Sequence, residues 1–166
     1  MRRFTILAFL LGGVLGAGAG FAIGIFAFPF LFPPPPAMET LAEAERARTI
    51  AIGTFIHADP SDPVHYGSGR VTVTERSVFL EADFDVGPGP LYHVYLVAQP
   101  EVRRSADVRN AEVVDLGRLR AFQGSQRYAI PPGTDLARYP SVVIWCRQFS
   151  VLISPADLSR AVAAAR

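Results

Sequence analysis

The segment Val142-Val143-Ile144-Trp145-Cys146-Arg147-Gln148-Phe149 holds the single cysteine of the chain. A thiol can be a nucleophile, a redox centre or a metal ligand, and its charge state and exposure decide which. If Ser141 to Cys146 is one strand, alternation puts Val142, Ile144 and Cys146 on one face and Val143, Trp145 and Arg147 on the other. Cys146 then belongs to an apolar face near a strand end, beside a large aromatic, and Arg147 points away from it. A buried thiol in such a place acts as a small hydrophobe. An unpaired thiol in a segment outside the cytoplasm, next to an irregular step between two strands, is also a redox candidate.

Other residues could do chemistry. His57, Asp59 and His65 stand within nine residues of one another around a proline-rich turn; imidazoles with a carboxylate bind metals, but this spacing matches no standard metal motif, and solvated loop histidines are the simpler reading. His93 shares strand parity with Leu91, Tyr95 and Val97, which suits a hydrogen-bonded core histidine. A haem, if one were held, would find its axial ligands among His57, His65, His93, Met38 and Cys146. Glu81, Asp83 and Asp85 alternate with apolar residues before a Gly-Pro turn, as on a solvated strand face. No Gly-x-Ser-x-Gly elbow, His-Glu-x-x-His motif or phosphate loop occurs in the exported part.

Composition removes further classes. All 16 basic residues of the 166 are Arg, which excludes a Schiff-base or P-loop lysine. One Cys excludes an internal disulfide, a CxxC redox pair and a paired-thiolate zinc site. The formal net charge of +1 is unlike that of a nucleic-acid binder.

The elements that must position these residues are strands. Ile50, Ile52, Thr54 and Ile56 alternate, as do Val71 and Val73 with their threonines, and Val78, Leu80, Ala82 and Phe84. Leu91 to Ala98, Glu112 to Leu116, Arg118 to Phe122, Gln126 to Ile130, Ser141 to Cys146 and Phe149 to Ile153 follow, separated by Gly, Pro, Asp and Ser clusters. The pattern predicts an all-β antiparallel sandwich or barrel of eight or nine short strands over 49–160. Pro155 to Arg166 reads as helical, with Ser154 as N-cap and Pro155 at the first helical position.

Ahead of the strands, Phe4 to Phe32 carries no charged residue, a run longer than the roughly 20 residues a bilayer requires. Arg2 and Arg3 precede it, and the positive-inside rule keeps a stub of residues 1–3 in the cytoplasm and sends the remainder outward, periplasmic or at the cell surface. Ala17-Gly18-Ala19 resembles a cleavage site, but the apolar run continues well past it, which favours an uncleaved signal anchor over 4–32. Gly12, Gly16, Gly20 and Gly24 fall on one helix face and could pack against a second copy or another membrane helix. Residues 33–48 read as a polyproline spacer and solvated stalk, and 161–166 as a tail. From Ala37 onward 14 Arg face 15 acidic residues, so no attraction to nucleic acid is expected.

A family resemblance emerges from an ordered set of residues. Gly53-x-Phe55, His65 with Gly67-x-Gly69, Val71 through Phe84, Gly89-Pro90-Leu91, Val94-Tyr95-Leu96, Leu116-Gly117-x-Leu119, Gly124-x-Gln126-x-Tyr128 and the closing Val142-Val143-Ile144-Trp145-Cys146-x-x-Phe149 with Ala156-x-Leu158 resemble the DM-thirteen domain across about residues 50 to 160. The resemblance implies an all-β extracytoplasmic module of the kind often found with DOMON domains. Its characteristic cysteine, which maps to Cys146, is proposed to serve redox or electron transfer as a free thiol or as a ligand to a prosthetic group such as haem. It makes Cys146 the redox candidate, with His65 and His93 as further cofactor-binding candidates and an unidentified redox partner. The alternative is a non-enzymatic binding or surface-assembly module whose cysteine is structural.

Overall fold

In the computed structural model, which describes residues 2–161, helix α1 (Arg2–Leu31) precedes a mostly β domain. The apolar stretch Arg2–Ile25 is long enough to cross a membrane, and none of it is buried against the rest of the chain. Pro29 does not stop α1; the helix ends two residues later, just before the four prolines. A single proline in the last turn forfeits one hydrogen bond, whereas Pro33 to Pro36 leave no donors with which to continue.

Eleven strands follow: β1 (Ala37–Met38), β2 (Thr49–Phe55), β3 (Gly67–Ser68), β4 (Arg70–Thr74), β5 (Ser77–Leu80), β6 (Asp85–Val86), β7 (Tyr92–Val97), β8 (Val113–Arg118), β9 (Gly124–Ala129), β10 (Ser141–Cys146) and β11 (Val151–Arg160). Nine form one curled sheet in the order β1-β9-β5-β4-β2-β11-β10-β7-β8, and β3 pairs with β6 as a separate ribbon. The expectation of an all-β domain of short strands behind an apolar helix holds, with the sheet curled into a half-barrel. Within the large sheet only β1 with β9 is parallel.

Two apolar clusters lie on the two faces of this sheet. Phe55, Leu80, Phe84, Val94, Val142, Ile144, Cys146 and Ile153 belong to the larger. Tyr95, Val97, Val143, Trp145 and Leu152 form the smaller, with Val102 and with Val108 from the short helix Ser105–Arg109, which follows β7. Alternation along β7 and β10 accounts for the division, since successive side chains leave opposite faces.

Two expectations are corrected. Pro155 to Arg160 is strand, not helix: β11 pairs with β10 on one side and β2 on the other. The Ser154 hydroxyl donates to the Ile56 carbonyl at 2.8 Å instead of capping a helix, and the Pro155 carbonyl accepts from Ile56 N–H at 3.0 Å. A register irregularity between Ile144 and Trp145 adjoins the proline, the setting in which a sheet tolerates a missing donor. Burial of Ile153 and Ala156 (1% and 0% exposed) outweighs a cap-like local sequence. Residues 162–166 of that expected helix lie outside the described residues.

The second correction concerns the stalk, which is a strap laid on the domain. Ala37 and Met38 pair with Gly124 and Ser125, and Leu41 is buried. In and after the one-turn helix Glu43–Arg46, Arg46 grips the Glu81 carboxylate with both guanidinium ends at 2.8 and 3.1 Å. Glu45 accepts from the Ser77 hydroxyl and from Arg127. The alternating charges that look like a solvated helix thus find partners across the sheet. Gly124, at φ +85, is required because a Cβ there would lie 2.1 Å from the Ala37 carbonyl oxygen.

Candidate functional site: a thiol at the end of a central strand

Cys146 is the last residue of β10, and its register partners are Tyr92 in β7 and Val151 in β11. Its side chain is 1% exposed and belongs to the larger core cluster with Val142 and Ile144. The Sγ–H donates to the Pro90 carbonyl at 3.3 Å, and the next amide, Arg147 N–H, donates to the Leu91 carbonyl at 3.1 Å. The Gly89-Pro90-Leu91 loop is thereby clamped over the sulfur. Gly89 leaves no room for a side chain in that cover, since a Cβ there would lie 2.0 Å from the Tyr92 hydroxyl.

Burial pushes the Cys146 thiol above its ordinary range, while backbone N–H groups of Phe149 and Gln148 pull in the other direction. These amides belong to the turn that joins β10 to β11, and they turn toward the sulfur. The resting thiol is neutral, and the groups that would hold a sulfur anion are already beside it. Leu91 and Ser150, on either side of this arrangement, adopt φ of +50 and +54, a left-handed conformation that costs a non-glycine residue roughly 1–2 kcal/mol.

The remaining candidates go elsewhere. His93 is opposite Trp145 in the ladder and therefore on the other face of the sheet from Cys146. Its Nδ1 lies 2.8 Å from Asp115 Oδ1, and Arg147 reaches the same carboxylate at 3.4 Å. The ring packs edge-on against Tyr95, which in turn stacks on Trp145 with centroids 6.4 Å apart. His65 stays in the 57–66 loop, where Nδ1 meets Asp62 Oδ2 at 2.6 Å, and this contact together with backbone amides holds the Asp62 carboxyl down at about 2. His57 Nε2 bonds to the Asp62 carbonyl, and Asp59 caps Ser61. Among the described residues no three His, Cys, Asp or Glu side chains converge as a metal site. The sheet thus separates Cys146 from His93, and it adds partners that the sequence did not single out: the Pro90 carbonyl, Tyr92 and Asp115. The separation needed the β7–β10 register and the pairing of His93 with Asp115 the β7–β8 register, which no local signal carries.

Cys146 and His93 do not fit one haem between them. They face opposite sides of one sheet, and the Cys146 sulfur is covered by Pro90 instead of opening on a cleft.

The fold and site define a class: a curled β half-barrel with one buried thiol at the end of a central strand, preceded by a helix of membrane-crossing length. The family model described as Electron transfer DM13 matches residues 60–158, more than half of the chain, and the chain belongs to that family. No curated protein and no solved structure matches it. Family membership supports a redox or electron-transfer role in general terms.

Proposed function

We propose that the chain is a membrane-anchored redox module in which Cys146 acts as a protein thiol. In this reading α1 crosses the bilayer with Arg2 and Arg3 on the cytoplasmic side, and the β domain stands outside the cytoplasm. The observation that carries the proposal is the placement of the only sulfur able to form a thiolate at a strand end, under a clamped loop and beside two backbone amides. The oxidant is a peroxide: its O–O bond breaks, one oxygen joins the sulfur as a sulfenic acid, and the other leaves with the thiol proton as water or an alcohol. The Gln148 and Phe149 amides stabilise the sulfur when it loses its proton, and the Gly89–Leu91 cover must lift to admit the peroxide or a partner.

The test is oxidation of the full-length protein by peroxide, followed by a sulfenic-acid trapping reagent and mass measurement. One adduct at Cys146 is expected in the wild type and none in Cys146→Ser. The second reading is a non-enzymatic binding module with a structural cysteine. It is favoured by the depth of the thiol and by the absence of a cation among its described contacts, and it predicts no adduct in the folded wild type.

A further inference from the structure

The C-terminal end of α1 and the β domain line an open groove of about 660 Å³. Phe28 and Phe32 contribute from the helix end, and Leu91 and Phe122 from the domain; Arg118 and Arg120 are its only charged lining residues. The two arginines differ. Arg120 donates to the Glu39 carboxylate and the Arg127 carbonyl and lies over the Tyr128 ring. The exposed Arg118 guanidinium makes no hydrogen bond or ion pair among the described residues. One uncommitted cation therefore sits at an aromatic groove that has no carboxylate in its lining.

We infer that this groove binds an anionic phospholipid of the membrane crossed by α1, with the phosphate at Arg118 and the upper acyl chain against Phe28, Phe32, Leu91 and Phe122. The inference rests on the membrane-anchor reading. A helix that leaves the bilayer near Leu31 brings Phe28 and Phe32 to the membrane–water boundary, the depth at which aromatic side chains and phosphates meet. Charge complementarity selects the lipid. A headgroup of net negative charge satisfies Arg118, whereas a choline would add a second positive charge beside it with no carboxylate among the described lining residues to offset it. The bound lipid would also rest on Leu91, whose carbonyl helps clamp the cover of Cys146.

The test uses the full-length chain in nanodiscs of phosphatidylcholine containing a minority of phosphatidylglycerol, with native mass spectrometry of the lipid retained on release. The expected result is enrichment of phosphatidylglycerol by about fivefold over its share of the bilayer, the worth of one basic side chain at an anionic surface. In Arg118→Gln the enrichment should vanish, while Arg104→Gln, away from the groove, keeps it. Retention of the two lipids in bulk proportion by the wild type, or enrichment that survives in Arg118→Gln, overturns the lipid site. Displacement of the lipid by millimolar inorganic phosphate also overturns it, in favour of a site for free phosphate. Failure of the chain to enter nanodiscs at all overturns the anchor reading as well, so the two failures are distinct.

Discussion

The Cys146 thiol donates to the Pro90 carbonyl at 3.3 Å, so the residue that carries the proposed chemistry also latches the loop that covers it. Replacing Cys146 by Ser keeps a donor of similar size in place and should cost no more than about 1 kcal/mol. Cys146→Ala removes the donor and leaves a small void; a loss of about 1–2 kcal/mol is expected, from the unsatisfied carbonyl together with the cavity. Urea denaturation of both variants distinguishes a latch from a plain core residue, for which the two substitutions would cost the same.

Alkaline pH should weaken the fold. Burial raises the Cys146 thiol and the Tyr92 phenol, and it lifts the Tyr128 phenol to about 12. Each group is thus more easily deprotonated in the unfolded chain than in the folded one. Stability contributed this way is whole below the ordinary thiol value of about 8.5 and falls as pH rises beyond it. Melting temperature should be level near neutrality and decline above about pH 9, and Tyr92→Phe should flatten part of that decline. A melting temperature that rises with alkali would contradict the assignment.

At the acid end the 57–66 loop is the sensitive element. Its Asp62 carboxyl is held at about 2, first by His65 and then by backbone amides. Order contributed by this carboxylate is present above the unfolded value of about 3.9 and is lost as pH falls toward 2. Hydrogen exchange at Val64 and His65, whose amides donate to Asp62, should accelerate over that interval relative to the intrinsic rate. Asp62→Asn should show fast exchange already at neutral pH.

Gln126, in β9 next to the edge strand β1, joins this side of the half-barrel to the segment after the other edge strand, β8. Fully buried, it donates to the Ala121 carbonyl at 2.7 Å and accepts from the Tyr128 hydroxyl at 2.7 Å. Gln126→Leu retains the volume but strands both partners, and a loss of about 2–4 kcal/mol follows from two unsatisfied buried groups. Chemical denaturation checks the value; a neutral substitution would mean that β9 and the segment after β8 are not held together in this way.

The strap makes a separate prediction. Gly124→Ala sets a Cβ against the Ala37 carbonyl at a positive φ, so it should cost more than about 1 kcal/mol and expose 37–46 to protease. Arg46→Ala takes both guanidinium hydrogen bonds from the largely buried Glu81 carboxylate and should cost about 1–3 kcal/mol.

Periodicity carried most of the fold. Val142, Ile144 and Cys146 alternate so regularly that their common face was readable, as was the face shared by His93 and Tyr95; that the two faces are opposite needed the β7–β10 register. Two errors share one cause. Ser154-Pro155 and the charged 39–48 segment have local chemistry typical of a helix start and a free helix, and distant partners override it: Ile56 for the former, Glu81, Ser77 and Arg127 for the latter. The clamp on Cys146 was not readable because it is made by a backbone carbonyl 56 residues away, and a carbonyl has no residue type to betray it.

The central claim, that Cys146 is the redox group and works without a haem, is tested most directly by voltammetry of the full-length protein in a lipid film, wild type beside Cys146→Ser. The wild type should give a redox wave with no visible absorption band behind it, and Cys146→Ser should give none while keeping the wild-type far-ultraviolet dichroism. A wave that persists in Cys146→Ser, or a folded wild type that gives no wave, contradicts the account.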